Sequence, residues 1–141
     1  MRHITSAGLD LIKQFEGFKD TIYLDLVGVP TIGYGCTRQP LPETVTVEEA
    51  EEMLRVELLT AERGVLRLIK VPLTDGQFDA LVSWTFNLGT GALQRSTLRM
   101  LVNREEHGDV PEQFLRWCRA GGVVVRGLVR RRQAEAEMYE S

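Results

Sequence analysis

One stretch, TVEEAEEMLRVELLTAERGVLRLIK from Thr46 to Lys70, leaves few choices about what this chain can fold into. Ala50, Leu54, Leu58, Ala61, Val65 and Leu68 recur every three or four residues, so one face of a helix is buried along about six turns. Thr46 and Glu49 have capping-box spacing, Glu48 and Glu49 suit the positive end of the helix dipole, and Pro72 stands just beyond the last apolar residues. A helix of this length can bridge a small lobe before it to a larger one after it. Its acidic outer face reads as a solvated one. Gly64 costs up to about 1 kcal/mol against alanine there, and marks a bend or a close packing point.

Ahead of it, SAGLDLIKQFEG predicts a helix with Thr5 or Ser6 as N-cap and Gly17 as its stop. Leu9, Ile12 and Glu16 lie at i, i+3 and i+7, so Glu16 falls on the apolar stripe with Phe15 beside it. A carboxylate placed there loses hydration, which favours the protonated form a general acid needs. The plainer alternative is a last-turn residue that bends out to water. Between Ile22 and Tyr34 the chain is rich in β-branched and aromatic residues, with a turn signal at Gly28, which predicts a short hairpin. A turn centred on Gly28 makes residues 25 and 31 cross-strand partners, so the Asp25 carboxylate and the Thr31 hydroxyl share a face and can share one water. Two carboxylates and a polar helper are what glycoside hydrolysis requires. Asp25 can equally be a turn residue bonding its own backbone, and Thr31 an ordinary strand threonine.

The segment EGFKDTIYLDLVGVPTIGYGCT resembles the active-site region of the bacteriophage lysozymes, or endolysins, of glycoside hydrolase family 24. The family's glutamate, eight residues, aspartate, five residues and threonine fall on Glu16, Asp25 and Thr31, and TIGYG follows as in the family. FNLGTGALQRSTL resembles a second family signature, and RWCRAGG with GLVRRR a third. The resemblance covers nearly the whole chain in the right order. It implies an α+β lysozyme-like fold for residues 1–141 as a single domain. A small β-hairpin N-terminal lobe is joined by the long helix to a mostly helical C-terminal lobe, with the cleft between them.

The implied activity is hydrolysis of the β-1,4 bond between N-acetylmuramic acid and N-acetylglucosamine, with Glu16 as acid and Asp25 with Thr31 holding the water. Tyr34, Phe86, Asn87, Gly89 and Arg131 are the substrate-binding residues it suggests. Room for that water favours inversion, with carboxyl groups more than about 6 Å apart. Two other classes remain open: a lytic transglycosylase on the same substrate, relying on Glu16 alone, and a non-enzymatic glycan- or nucleic-acid-binding module using GLVRRR.

Farther on, Thr74 and Gln77 repeat the capping box and open TDGQFDALVSWTFNLG, a helix apolar enough to centre the second lobe, with Gly89 as its stop. Asn87 at its end either bonds substrate or caps the helix. STLRMLVNREEHGD reads as a helix from Ser96 to Gly108, and Pro111 opens another through Trp117. AGGVVVRG breaks helicity before a short final helix. Arg130, Arg131 and Arg132 fall at or near the start of that helix, where cations oppose the dipole. They either bridge to the acidic helix or approach Glu16 and the anionic wall.

Residues 95–133 hold nine Arg against four Asp or Glu in a chain of net charge −3, so the positive charge is local. The acidic total weighs against nucleic acid as a partner, since a broad basic face is the usual footprint. Two cysteines far apart, Cys36 and Cys118, and two histidines, His3 and His107, give no metal-ligand spacing, so neither a metal nor a cofactor is expected. Free thiols are the default. No apolar run approaches the roughly 20 residues that cross a bilayer, and MRHITSAGLDLIKQ has no secretory apolar core. The expectation is therefore a monomer held in the host cytoplasm that reaches bacterial peptidoglycan after release, which the resemblance assigns to a holin.

Overall fold

The computed structural model describes residues 1–141. Seven α-helices and two small antiparallel hairpins follow one another along the chain, the lysozyme-like α+β class read from the sequence. Two compact units are formed, one by Ile12–Leu59 and one by Met1–Leu11 with Thr60–Ser141.

The smaller unit contains the end of α1 (Ser6–Glu16), the hairpin β1 (Lys19–Leu24) and β2 (Pro30–Gly33), and the first half of α2 (Val47–Leu68). The predicted box opens α2: Glu49 N–H donates to Thr46 Oγ1 at 3.1 Å and Thr46 N–H to Glu49 Oε1 at 2.9 Å. Ile12, Ile32, Val45, Ala50, Leu54 and Leu58 form the apolar interior. Gly33 admits the close approach of α2, since a Cβ on it would stand 3.1 Å from the Ala50 Cβ.

The hairpin departs from the expected register. Tyr23 faces Thr31 and Leu24 faces Pro30, so the turn is centred on Val27, not on Gly28, and Asp25 lies opposite Val29. Gly28 at φ +84° takes the left-handed position that closes a three-residue loop, as in a turn followed by a bulge. Asp25 and Thr31 are therefore diagonal neighbours on one face instead of direct partners.

The larger unit is built around α3 (Asp75–Leu88), which is buried continuously from Phe78 to Thr85 and opens with the predicted Thr74/Gln77 box. After it come α4 (Thr90–Gln94), α5 (Thr97–Asn103), a 3-10 turn at His107–Asp109 and α6 (Val110–Leu115). The hairpin β3 (Arg119–Ala120) and β4 (Val123–Val124) leads to α7 (Arg126–Glu140), which packs on α3 and α6. The N-terminal segment is tied to this unit through its backbone. Ile4 N–H donates to Glu62 Oε2 at 2.7 Å and Thr5 N–H to Asp79 Oδ1 at 3.0 Å. Gly64 is a close packing point: a Cβ there would lie 2.3 Å from Thr90 Cγ2.

The structure sets the bounds of the later elements. The segment after Ser96 stops at Asn103, five residues before Gly108, because the Asn103 amide is drawn to the end of α2, accepting from Lys70 N–H at 2.7 Å and donating to Leu68 O at 2.9 Å. AGGVVVRG forms a tight hairpin, with Gly121 and Gly122 both at positive φ, as a primed turn demands. α4 occupies the stretch between Gly89 and Arg95. Finally, α7 starts at Arg126, which moves Arg130–Arg132 out of the first turn.

Candidate active site

Glu16 is the last residue of α1. Gly17 ends the helix in the left-handed conformation, φ +71°, with its N–H on Lys13 O at 3.0 Å. The Glu16 side chain is half-buried. Its Oε1 lies over the second glycine of TIGYG, 3.7 Å from where a Gly35 Cβ would stand. That turn is closed by paired bonds between Ile32 and Cys36, N–H to O at 2.9 and 2.8 Å, and both Gly33 (φ +67°) and Gly35 (φ +85°) adopt a backbone that other residues resist. The glycine-rich sequence thus makes a compact seat for the carboxylate.

Asp25 holds the other end of the hairpin. Its Oδ1 accepts the N–H groups of Val27 at 2.9 Å and Val29 at 2.8 Å, the arrangement of a turn aspartate. Both bonds fall on one oxygen, so Oδ2 is the atom left to face outward chemistry. Thr31 is 3 % exposed, and its hydroxyl donates to Val29 O at 2.9 Å. With its proton engaged, the Thr31 oxygen can act only as an acceptor toward anything else. The alternative of a turn-bonding Asp25 is realised, and it coexists with a free carboxylate oxygen.

Tyr34, expected at the substrate, is only 9 % exposed. Its ring centroid lies 5.3 Å from that of Phe18, with Lys13 Nζ 5.7 Å away over the ring, and Lys13 also pairs with Glu51. Phe18 and Lys13 thus hold the ring in place next to the turn that carries Gly35.

In the larger unit, Phe86 is half-buried and Asn87 exposed, in the last turn of α3. Gly89 bridges α3 and α4 at φ +97°, its N–H on Thr85 O at 2.7 Å. Arg131 is 4 % exposed, with Nε on Glu135 Oε2 and Nη2 on Ser83 O, both at 3.3 Å. Arg132, the last of the run, is wholly buried and donates from Nη2 to Asn87 Oδ1 at 2.8 Å. Nothing in the local sequence marks this bond, because its partners are 45 residues apart. Arg131 and Arg132 both pair with Glu135 on α7 itself.

The model of the phage lysozyme family matches residues 13–135, from the last turn of α1 to Glu135. The chain belongs to the phage lysozyme family. It is 39% identical to the endolysin of Bacillus phage B103 over 97% of its own length, but spans about half of that relative, 54%. Among solved structures, a lysozyme mutant of phage P22 superposes with TM-score 0.92 at 33% identity, covering 100% of both chains. The muramidase domain of SpmX from Asticaccaulis excentricus superposes with TM-score 0.91 at 34% identity over 100% of this chain and 99% of that one. Both solved structures share the fold of this chain at near-full coverage.

Proposed function

We propose that residues 1–141 act as one lysozyme-like domain that hydrolyses the β-1,4 bond between N-acetylmuramic acid and N-acetylglucosamine in peptidoglycan, lysing bacterial cells. One observation carries this reading: Asp25 and Thr31 share a hairpin face with complementary hydrogen-bonding vacancies. The turn occupies Asp25 Oδ1 and leaves Oδ2; Val29 O occupies the Thr31 proton and leaves an acceptor. A water between two acceptors donates both its hydrogens and points a lone pair outward, ready to attack a sugar carbon.

Glu16 supplies the other half of the reaction. It gives its proton to the leaving glycosidic oxygen as the bond to the anomeric carbon breaks, while the water oxygen bonds that carbon from the opposite face and passes a proton to Asp25. The product has inverted configuration, and no cofactor enters the balance. The name muramidase, borne by a structural neighbour at 34% identity, supports the substrate class. To reach peptidoglycan the protein must act on the wall side of the membrane, and no helix is long and apolar enough to cross one. We assign its release to a separate holin-like pore and its action to a monomer.

Mass spectrometry of the soluble fragments from purified Gram-negative peptidoglycan tests the reading. Reducing-end muramic acid products are expected, and Glu16→Gln is expected to lower kcat by about 10³- to 10⁴-fold, near the upper range for a general acid. Anhydro products would replace hydrolysis by transglycosylation. Silence from folded protein would overturn the enzymatic reading.

A further inference from the structure

From Gln113 to Ala134 the chain has six arginines and no acidic residue, inside a protein of net charge −3. Arg131 and Arg132 are buried and pair with Glu135. The other four, Arg116, Arg119, Arg126 and Arg130, are exposed and form no ion pair. Arg119 lies in β3, where its Nη1 donates to Gly122 O at 3.1 Å, and Arg116 and Arg126 flank the hairpin in sequence. The register sets Arg119 opposite Val124 and Ala120 opposite Val123, and Val125 N–H extends the pairing to Cys118 O at 2.9 Å. Cross-strand partners share a face, so Arg119 and Val124 lie on one side and Ala120 and Val123 on the other. Neither side is covered. Every residue from Arg119 to Gly127 is exposed, Val123 at 66 % and Val124 at 48 %, and Leu115 ahead of the hairpin is exposed as well.

Two-residue strands that bury nothing gain little from aliphatic side chains, and a connecting segment in water is ordinarily polar. The arginines have no internal reason to be there either. Arg126 is the first residue of α7, whose N-terminus has no side-chain cap and no acidic residue in its first turn, so the helix dipole opposes this cation. Uncompensated positive charge thus stands beside uncovered aliphatic surface. A soluble polyanion would satisfy the arginines and leave the valines wet. The interface of an anionic bilayer takes both, with guanidinium groups at the phosphates and aliphatic side chains at the boundary of headgroup and acyl chain.

We propose that the β3–β4 hairpin, with Arg116, Arg119, Arg126 and Arg130, is a docking surface for a membrane rich in anionic phospholipid. The attachment is peripheral, since no helix is long and apolar enough to cross a bilayer. Its strength follows these four arginines and not the net charge, because charges farther apart than about 8 Å are largely screened at physiological salt. The whole surface lies within the larger unit and does not depend on the muramidase reading.

Co-sedimentation of the full chain with sucrose-loaded vesicles tests it, using phosphatidylcholine alone or equal parts phosphatidylcholine and phosphatidylglycerol. Binding to the mixed vesicles is expected to be at least about tenfold tighter than to phosphatidylcholine, and the difference should vanish between about 0.1 M and about 1 M salt. Arg119→Gln/Arg126→Gln is expected to weaken it by about 25-fold, about fivefold for each arginine. Arg63→Gln/Arg67→Gln on α2 changes the net charge equally and is expected to weaken it less than about twofold. Val123→Ser/Val124→Ser is expected to weaken vesicle binding by about five- to tenfold while binding to soluble polyphosphate stays as in wild type. Should the serine variant not fold, Val123→Thr/Val124→Thr, which keeps the β-branch, is expected to show the same selective loss. Equal binding to both vesicles, equal losses in the two arginine pairs, or valine variants that bind mixed vesicles like wild type would overturn the proposal. No glycan enters the assay, so a failed muramidase reading would leave the result standing.

Discussion

The hairpin around Asp25 and the α3–α7 interface around Glu135 both hold polar side chains in fixed places, by opposite means. Asp25 and Thr31 bond backbone groups no more than four residues away. Glu135 and Arg132 bond partners on α3 that are 52 and 45 residues away, and both are completely buried. A local arrangement of the first kind can be read as a spacing and can fail without unfolding the chain. The second kind exists only when two helices have packed, and the fold depends on its being complete.

The sharpest break of this contrast is Glu135→Ala. It removes the buried carboxylate that pairs with both Arg131 and Arg132, and is expected to destabilise the protein by about 3–5 kcal/mol, measured by denaturant unfolding. A loss below about 1 kcal/mol would mean the cluster is not structural. Thr31→Val, nearly the same shape, should do the reverse. It removes an acceptor from the attacking water, so kcat is expected to fall by about 10²-fold, a loss on the scale of a positioned proton-transfer group. Its unfolding free energy should move by only about 1 kcal/mol, the worth of one hydrogen bond.

Gly64→Ala sharpens the comparison within the larger unit. Its Cβ would meet Thr90 Cγ2 at 2.3 Å, so a cost of about 1–3 kcal/mol from overpacking is expected despite the better helix propensity of alanine. Thr90→Ser in the same background should recover part of it.

The smallest effect concerns Cys36, whose thiol burial pushes above its ordinary 9.0, with Glu57 adding to the rise. A raised value means the folded state holds the proton more tightly than the unfolded chain. That contribution is complete below about pH 9 and is lost as pH climbs through the folded value. The thermal midpoint should therefore fall between about pH 8 and about pH 10, and Cys36→Ala should flatten the fall.

What could be read beforehand follows the same division. Thr46 with Glu49 and Thr74 with Gln77 were legible because a capping box is a spacing of three, and Gly17 and Gly89 because only a left-handed position calls for glycine there. Glu16, Asp25 and Thr31 were legible as a motif, yet the hairpin register was not, since a glycine signals a turn without saying which turn position it takes. Gly28 closes the loop instead of centring it, which shifts the partner of Thr31 from Asp25 to Tyr23. The burial of Arg131 and Arg132 was not legible for a deeper reason. A string of cations looks solvated in sequence, and the carboxylate of Glu135, held against α3, meets both arginines only once the helices have packed. Their roles are settled by packing, which a linear pattern does not encode.

The engaged proton of Thr31 has a consequence for the turnover cycle. With its hydrogen directed at Val29 O, this hydroxyl cannot relay protons, so the two carboxylates have no internal wire between them by way of it. In the proposed mechanism each catalytic event leaves Glu16 stripped and Asp25 loaded, the reverse of the starting arrangement. Resetting the pair then requires traffic with bulk water, one proton out and one in. Such a site works as a ratchet recharged by solvent, and its speed at saturating glycan should respond to buffer concentration and to deuterium in the medium.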